Sequence, residues 1–180
     1  MPKEEEWNAF FTPNRVLKLL GLNSGIVDVA DFGCGYGTFT IPAARIVTGK
    51  VFAFDIEPEM IKTVEKKAKE NKLSNVVPTL RDFMSEGSGL EALSVDFALL
   101  FNILHVEEPK KLLKEAYRIL RFGGGLGIIH WNYDETTPAG PPMAIRPKPE
   151  QCRYWAESVG FHFEKQFDLK PYHYAIAMRK

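Results

Sequence analysis

The feature that most restricts the fold of this chain is a glycine-rich loop directly after an apolar segment. Residues 26–32 read Ile-Val-Asp-Val-Ala-Asp-Phe, which is typical of a buried strand, and Gly33-Cys34-Gly35-Tyr36-Gly37 follows before a helix predicted over residues 38–47. Glycine has no Cβ, so three glycines in five residues allow a sharp turn and a close approach of the backbone to a ligand. The sequence therefore predicts a strand, a ligand-binding turn and a helix in succession.

Apolar strand-like segments alternate with helical ones along most of the chain, which is typical of a parallel sheet with crossover helices. After the first strand, the predicted strands cover residues 50–55, 75–80, 94–101 and 126–130. Helices are predicted over residues 58–71 and 109–120, and the three glycines at 123–125 predict a turn before the fifth strand. An amphipathic helix is also predicted over residues 7–20, broken near Pro13.

The last third of the chain departs from this alternation. Residues 136–149 contain five prolines, so they are predicted to form a shaped loop, and long loops in compact domains are often functional. A helix is predicted over residues 150–159. Two strands over residues 161–168 and 172–178 are joined by a turn so short that only antiparallel pairing accommodates it.

These elements predict an α/β fold, with a single doubly wound, mostly parallel seven-stranded sheet, helices on both faces and an antiparallel C-terminal strand. At 180 residues, we expect one domain over residues 1–180. Within it, residues 1–24 are predicted to form an N-terminal helical cap, and residues 131–149 a proline-rich loop on the substrate side.

Composition excludes several classes of function. Lys plus Arg equals Asp plus Glu at 23 each, so the chain lacks the overall positive charge that draws proteins to nucleic acids or anionic membranes. Its two cysteines form neither a disulfide framework nor a zinc-binding spacing, so no metal is predicted. No apolar segment resembles a signal peptide or a spanning helix. We therefore expect a cytoplasmic protein with no nucleic-acid or membrane partner.

Polar side chains stand where several predicted strands end. Ligands of open α/β sheets bind outside the carboxyl ends of the strands, so Asp31, Asp55, Asp82 and Asn102 are expected to converge there. A carboxylate at Asp55, 24 residues after Asp31, can accept hydrogen bonds from both hydroxyls of a ribose. This position is shared by enzymes that use NAD and enzymes that use S-adenosylmethionine (SAM), so it predicts a nucleoside rather than a reaction.

The glycine spacing distinguishes these two cofactors. A dinucleotide fingerprint requires G-x-G-x-x-G, and Thr38 occupies the place of its third glycine. The observed D-x-G-x-G-x-G instead resembles the first motif of class I SAM-dependent methyltransferases. The resemblance implies that a group of loop residues surrounds the methionine half of SAM: Asp31, Gly33, Cys34, Gly35 and Gly37.

Three later segments extend the resemblance. Arg81-Asp82-Phe83 is similar to the family segment whose acid bonds the adenine amino group and whose next side chain packs on the ring, and Ile56 would cover the other face. The segment Asn102-Ile103-Leu104-His105 and the helix after it resemble small-molecule methyltransferases of the quinone-biosynthesis and arsenite branch. Phe122 stands where that branch usually has proline. Two cysteines are too few for arsenite chemistry, and no N-P-P-Y segment of amide and adenine methyltransferases is present.

Catalytic and substrate residues are predicted less directly. The SAM sulfonium carries an activated methyl group, so the protein mainly aligns the acceptor, with His105 or His130 as a base where the acceptor carries a proton. Alternatively, each histidine has a purely structural role. Phe11, Trp131 and Tyr133 are predicted as aromatic walls of the acceptor site, and Arg146 as a partner for an acceptor carboxylate or phosphate.

We therefore predict a SAM-dependent methyltransferase that acts on a small-molecule acceptor and releases S-adenosylhomocysteine (SAH). Two alternatives stay open. One is an NAD-dependent oxidoreductase, which the position of Thr38 and the lack of a recognisable Tyr-x-x-x-Lys pair disfavour. The other is a SAM-binding regulatory protein without transferase activity. The sequence determines neither the acceptor nor the oligomeric state.

Overall fold

The computed structural model describes residues 10–180, which form a seven-stranded sheet in the order β3-β2-β1-β4-β5-β7-β6. The strands are β1 (Val29–Phe32), β2 (Val51–Asp55), β3 (Val76–Leu80), β4 (Val95–Phe101), β5 (Leu120–Trp131), β6 (His162–Leu169) and β7 (His173–Arg179). The first five strands are parallel, and β7 runs antiparallel between β5 and β6. The predicted fold class is confirmed.

The helices lie between the strands, as the alternating pattern predicts. They are α1 (Pro13–Leu19), α2 (Thr40–Ile46), α3 (Pro58–Glu70), α4 (Phe83–Glu86), α5 (Pro109–Ile119) and α6 (Pro149–Glu157). Four of them begin with proline at the first helical position, where the missing N–H would have no partner in the helix. The helix predicted before Pro13 falls partly on residues 1–9, outside the described residues.

Helices cover both faces of the sheet because its central strands are apolar on both sides. Along β4, Ala98 and Leu100 face one hydrophobic cluster with α5 and α6, whereas Leu99 and Phe101 face another with α1 and α2. Such continuous apolar strands are typical of parallel sheets that are buried on both faces. The two clusters hold the central strands, whose ends border the site, between the two layers of helices.

Two expectations about irregular segments had different outcomes. The turn predicted at glycines 123–125 is wrong, because these residues lie within β5. The pairing of β4 with β5 is irregular there: Val95 pairs with Leu120, and Phe97 pairs with Gly125. The backbone there pairs with the C-terminal Lys180, and a Cβ at Gly125 would collide with the ring of Phe97. The proline-rich segment is a loop, as predicted, with one short 3-10 turn at Met143–Ile145.

Residues near the start of the described chain pack onto the sheet. Phe11, Val16, Leu17 and Leu20 belong to the cluster on the α2 face. The cap over residues 1–24 and the single-domain extent stay predictions. Among residues 10–180, no helix combines the length and the apolar character that crossing a membrane requires.

Candidate active site

A cavity of about 620 Å³ opens at the carboxyl ends of the parallel strands. Its walls come from the loops that follow β1 and β4, from the last residues of β2 and β5, and from the proline-rich loop. This is the edge at which open α/β sheets bind ligands, where the strand order reverses between β1 and β4. Eight predicted site residues line it: Asp31, Gly33, Cys34, Gly35, Asp55, Asn102, His105 and Trp131.

The glycine loop is tied to the end of β2. The amides of Gly33 and Cys34 both donate to the carbonyl of Phe54, at 2.8 and 2.9 Å. The amide of Gly35, whose φ is +51°, donates to Oδ2 of Asp55 at 2.9 Å. A positive φ is cheap for glycine, so the loop holds this turn without a side chain blocking the cavity. The loop and Asp55 therefore form one rigid unit.

Asp55 is oriented as well as buried, with 8% of its surface exposed. Its Oδ2 accepts from Gly35, and its Oδ1 accepts from the amide of Glu57 at 3.0 Å. Each carboxylate oxygen can accept a second hydrogen bond, so both oxygens keep capacity for a ligand.

Asp31 is the penultimate residue of β1, just before the glycine loop, and is 3% exposed. The hydroxyl of Thr40 donates to its Oδ2 at 2.6 Å. Burial raises the pKa of Asp31 from its usual 3.8 to about 7; the hydrogen bond from Thr40 opposes the rise, and repulsion from Asp55 adds to it. A nearby cation favours the ionised form of a carboxyl group. Binding of a cationic ligand beside Asp31 would therefore offset the effect of burial on its pKa.

Asn102 follows β4 with a left-handed backbone, at φ +54°. Both its side-chain amide atoms are buried without a hydrogen-bond partner among the described residues. Such groups are rare, since an unpaired buried amide costs about 1–3 kcal/mol. A strained residue with unpaired polar atoms in a cavity wall is typical of a position that a ligand completes.

The two predicted catalytic histidines are neighbours. Nδ1 of His105 lies 3.3 Å from Nε2 of His130, which is fully buried at the end of β5. Burial lowers the pKa of His105, and burial followed by repulsion from His105 lowers the pKa of His130 to about 3. Both imidazoles are therefore neutral near pH 7. His105 lines the cavity, and His130 lies behind it.

The predicted adenine contacts lie beside the cavity rather than in its wall. Asp82 caps α4 by accepting from the amides of Met84 and Ser85, and Phe83 is buried against Phe32 at 5.4 Å between ring centroids. Ile56 is 59% exposed just after Asp55. Asp82 neighbours the site because the amide of Arg81 donates to the carbonyl of Asp55. The adenine roles of Ile56, Asp82 and Phe83 stay predictions.

The remaining predicted residues are distributed around the cavity. Gly37, the last glycine of the loop, does not line the cavity, and a Cβ there would come within 3.1 Å of Val64. Phe11 packs against Phe39 at 5.2 Å between ring centroids, and Tyr133 is 46% exposed with the Lys148 ammonium over its ring.

Arg146 is occupied by the proline-rich loop. Its Nε donates to the carbonyl of Pro141. Its Nη1 donates to the carbonyls of Asn132 and Asp134 and to the hydroxyl of Thr137. Its Nη2 donates to the carbonyls of Ala139 and Pro141. The side chain is 7% exposed, and no donor is left for an acceptor carboxylate or phosphate. We therefore do not retain the substrate-binding prediction for Arg146.

Several wall residues were not identified from the sequence. They are Tyr36, Thr38, Phe39, Phe101, Ile103 and the segment Ala139, Gly140 and Pro141. Phe101 ends β4 and Ile103 follows it, whereas Tyr36, Thr38 and Phe39 lie in the segment between β1 and α2. Position relative to a strand end was therefore the usable signal for these five residues. Within residues 10–180, no group of three or more His, Cys, Asp or Glu side chains is arranged to hold a metal ion.

The sheet order, the inserted antiparallel β7 and the glycine loop at the end of β1 together define the class I SAM-dependent methyltransferase fold. The chain belongs to the methyltransferase domain family, whose sequence pattern it matches over residues 24–174. SAM is the cofactor of this class of enzyme.

Similar proteins agree with this assignment. A SAM-dependent methyltransferase from Aquifex aeolicus superimposes with a TM-score of 0.86 at 26% identity, over 98% of this chain and 93% of that one. A tRNA(Phe) (4-demethylwyosine(37)-C(7)) aminocarboxypropyltransferase from Methanocaldococcus jannaschii is 31% identical, over 74% of this chain and 49% of its own length. The ubiquinone/menaquinone biosynthesis C-methyltransferase UbiE from Haemophilus ducreyi is 28% identical, over 79% of this chain and 60% of its own length. This chain thus spans about half of the curated relatives' length.

Proposed function

We propose that this protein binds SAM in the cavity and transfers its methyl group to a small-molecule acceptor. The observation that carries the proposal is the glycine loop hydrogen-bonded to Asp55 in the cavity wall. Asn102, whose buried side-chain amide has no partner among the described residues, belongs to the same wall. Acidic side chains, a close backbone and an unpaired amide suit a ligand that combines a ribose, an ammonium and a carboxylate.

The proposed contacts follow from the geometry of the wall. Asp55 accepts from the ribose hydroxyls, because each of its oxygens keeps a lone pair after bonding Gly35 and Glu57. The glycine loop and Cys34 lie along the methionine half, and Asp31 faces its ammonium. Asn102 completes its hydrogen bonds with the polar end of the cofactor. Asp82, Phe83 and Ile56 border the adenine.

When bound, SAM supplies an activated methyl group on a sulfonium. The chain then has to place the acceptor in line and exclude water. His105 is the proposed base, because it lines the cavity and its lowered pKa keeps it neutral and able to take a proton near pH 7. This role requires that Nδ1 of His105 donates to Nε2 of His130, which leaves Nε2 of His105 with its lone pair. His130 is then a positioning residue.

A small acceptor is proposed over a macromolecule for two reasons. The formal net charge is zero, so the chain lacks the positive field that proteins use to attract nucleic acids. The proline-rich loop also closes one side of the cavity with Ala139, Gly140 and Pro141. The UbiE relative is named for quinone biosynthesis and the Methanocaldococcus relative for tRNA, so similarity alone is compatible with either type of acceptor.

The proposal is tested by titrating the purified protein with SAM, SAH and NAD in parallel calorimetric experiments. We expect saturable binding of SAM and SAH and none of NAD. Binding of NAD alone would replace methyl transfer with oxidoreduction. Mass spectrometry of turnover mixtures adds a second distinction, since methyl transfer releases SAH whereas aminocarboxypropyl transfer, the reaction named for the Methanocaldococcus relative, releases methylthioadenosine.

Replacing Asp55 with Ala is expected to weaken SAM and SAH binding by about 1–3 kcal/mol, because the ribose hydroxyls lose a charged acceptor. Glu59→Ala is the matched control, since Glu59 is an exposed acid in the first turn of the next helix. Calorimetry should leave the control within about twofold of the wild type. Equal affinities for the Asp55 variant and the wild type would remove this carboxylate from the cofactor site.

A further inference from the structure

We propose that the acceptor part of the cavity takes a neutral, flat, largely apolar molecule with a single hydrogen-bonding group. This inference rests on the proposed function, which places SAM along Asp31, the glycine loop and Asp55. The acceptor part is then the region over β4 and β5, bounded by the loop after β4, the end of β5 and the proline-rich loop.

The walls of this region are mainly aromatic and aliphatic. Phe39 and Phe101 meet edge to face, with ring centroids 4.6 Å apart, and Trp131 stands at the end of β5. Ile103, Ala139 and Pro141 complete the lining. Aromatic rings prefer to pack against flat apolar partners in offset or edge-on arrangements, so these walls favour a planar acceptor.

Charge is missing from this region. Among the described wall residues, the only carboxylates are Asp31 and Asp55, on the cofactor side, and no Lys or Arg lines the cavity. The guanidinium of Arg146 lies behind Gly140, with its donors engaged by the loop. An ionised acceptor would lose hydration without gaining a partner, which is costly, so the site selects against charge.

Tyr36, Thr38 and Trp131 also carry polar atoms, and each of them interacts within the protein. Among the other described wall residues outside the proposed cofactor contacts, His105 is the polar side chain. Its Nδ1 is engaged by His130, so Nε2 is the atom left for the acceptor. A single imidazole nitrogen serves a single hydroxyl or N–H group. The acceptor is therefore expected to carry its reactive proton at one position, opposite an apolar body.

The wall is held in a fixed shape. Arg146 binds the carbonyls of Ala139 and Pro141, and a Cβ on Gly140 would come within 2.9 Å of Trp131. The loop therefore lies directly against the tryptophan. Cofactor and acceptor share a cavity of about 620 Å³, within the range of about 300–1,000 Å³ found for single ligand pockets, so the acceptor is small.

The test uses the full chain saturated with SAH and three probes of similar shape: 2-naphthol, 2-naphthoate and 2-naphthylmethylammonium. We expect 2-naphthol to bind with a stoichiometry of one and at least about tenfold more tightly than either ion, because neither charge finds a partner. Equal affinities for the three probes, tighter binding of an ion, or no binding of 2-naphthol to the SAH complex would each overturn the inference.

Two variants localise the bound probe. Ala139→Phe adds a ring to the acceptor wall, so we expect it to lose 2-naphthol binding by at least about tenfold while SAH still binds. Ala144→Phe, on the exposed face of the same loop, should bind 2-naphthol like the wild type. An Ala139 variant with unchanged 2-naphthol affinity would place the probe elsewhere and overturn the inference. Absence of SAH binding to the wild type would instead refute the proposed function.

Discussion

Replacing Asp31 with Asn should weaken SAM binding by about 10- to 100-fold while stabilising the ligand-free protein at pH 8. The binding loss follows because the proposed partner of the SAM ammonium loses its charge, and hydrogen bonds to charged groups contribute about 1.5–3 kcal/mol. The ligand-free protein becomes more stable because a buried carboxylate, which Asp55 repels, is replaced by a neutral amide. The oxygen of this amide can still accept the hydrogen bond from Thr40. Calorimetry and urea unfolding of both proteins measure the two effects.

The stability effect has a defined pH window. Asp31 has a pKa of about 7 in the folded protein and about 3.8 when unfolded, so the folded state holds the proton more tightly. Its stabilising contribution is complete below about pH 4 and is lost as the pH rises to about 7. Relative to the wild type, the free energy of unfolding of the Asn variant should therefore rise little at pH 4 and by about 2–4 kcal/mol at pH 8. A pH-independent difference between the two proteins would contradict the burial argument.

The affinity of the wild type for SAM should also depend on pH, because it is linked to the same proton on Asp31. Below about pH 7 the free protein carries a proton on Asp31, which must leave before the carboxylate can face a cation. Affinity should then fall by up to about tenfold per pH unit, as expected for one linked proton. The Asn variant should lose this slope. If both proteins show the same pH profile, Asp31 does not contact the cationic part of SAM.

Local sequence identified five residues that line one side of the cavity, because that side is built from strand ends and the glycine loop. Their contacts with SAM stay a proposal. Asp31 is the penultimate residue of one apolar strand and Asp55 the last residue of the next, and parallel pairing brings the ends of these strands together. The glycines between them supply the turn. Neighbouring residues in the chain therefore carried almost all the information about this half of the cavity.

The acceptor side depended on contacts that the sequence does not display. His105 and His130 meet because β4 and β5 are adjacent, and the two residues are 25 positions apart. The glycines at 123–125 read as a turn because nothing local shows that the last residue of the sequence pairs with them. Arg146 looked like a ligand-binding cation, although its partners are carbonyls of its own loop. Long-range strand pairing decided the first two, and the folding of the loop on itself decided the third.

Arg146 holds the proline-rich loop together through hydrogen bonds to backbone carbonyls and to the hydroxyl of Thr137. Arg146→Met keeps an unbranched apolar stem but removes the guanidinium and all its hydrogen-bond donors. The carbonyls of Ala139 and Pro141, together with the hydroxyl of Thr137, then lose a donor inside the loop. We expect the free energy of unfolding to fall by about 2–4 kcal/mol, since charge-assisted bonds contribute about 1.5–3 kcal/mol each and are not additive.

Arg153→Met is the matched control for this variant. Arg153 pairs with Glu157 on the surface of α6, where an exposed ion pair contributes at most about 1 kcal/mol. Urea unfolding should separate the two variants clearly, and chymotrypsin should cleave the Arg146 variant faster after Tyr133 because its loop is no longer held. Because the same loop forms the acceptor wall, Arg146→Met should also weaken 2-naphthol binding to the SAH complex. Equal stabilities and equal cleavage rates for the two variants would mean that the prolines, rather than Arg146, determine the shape of the loop.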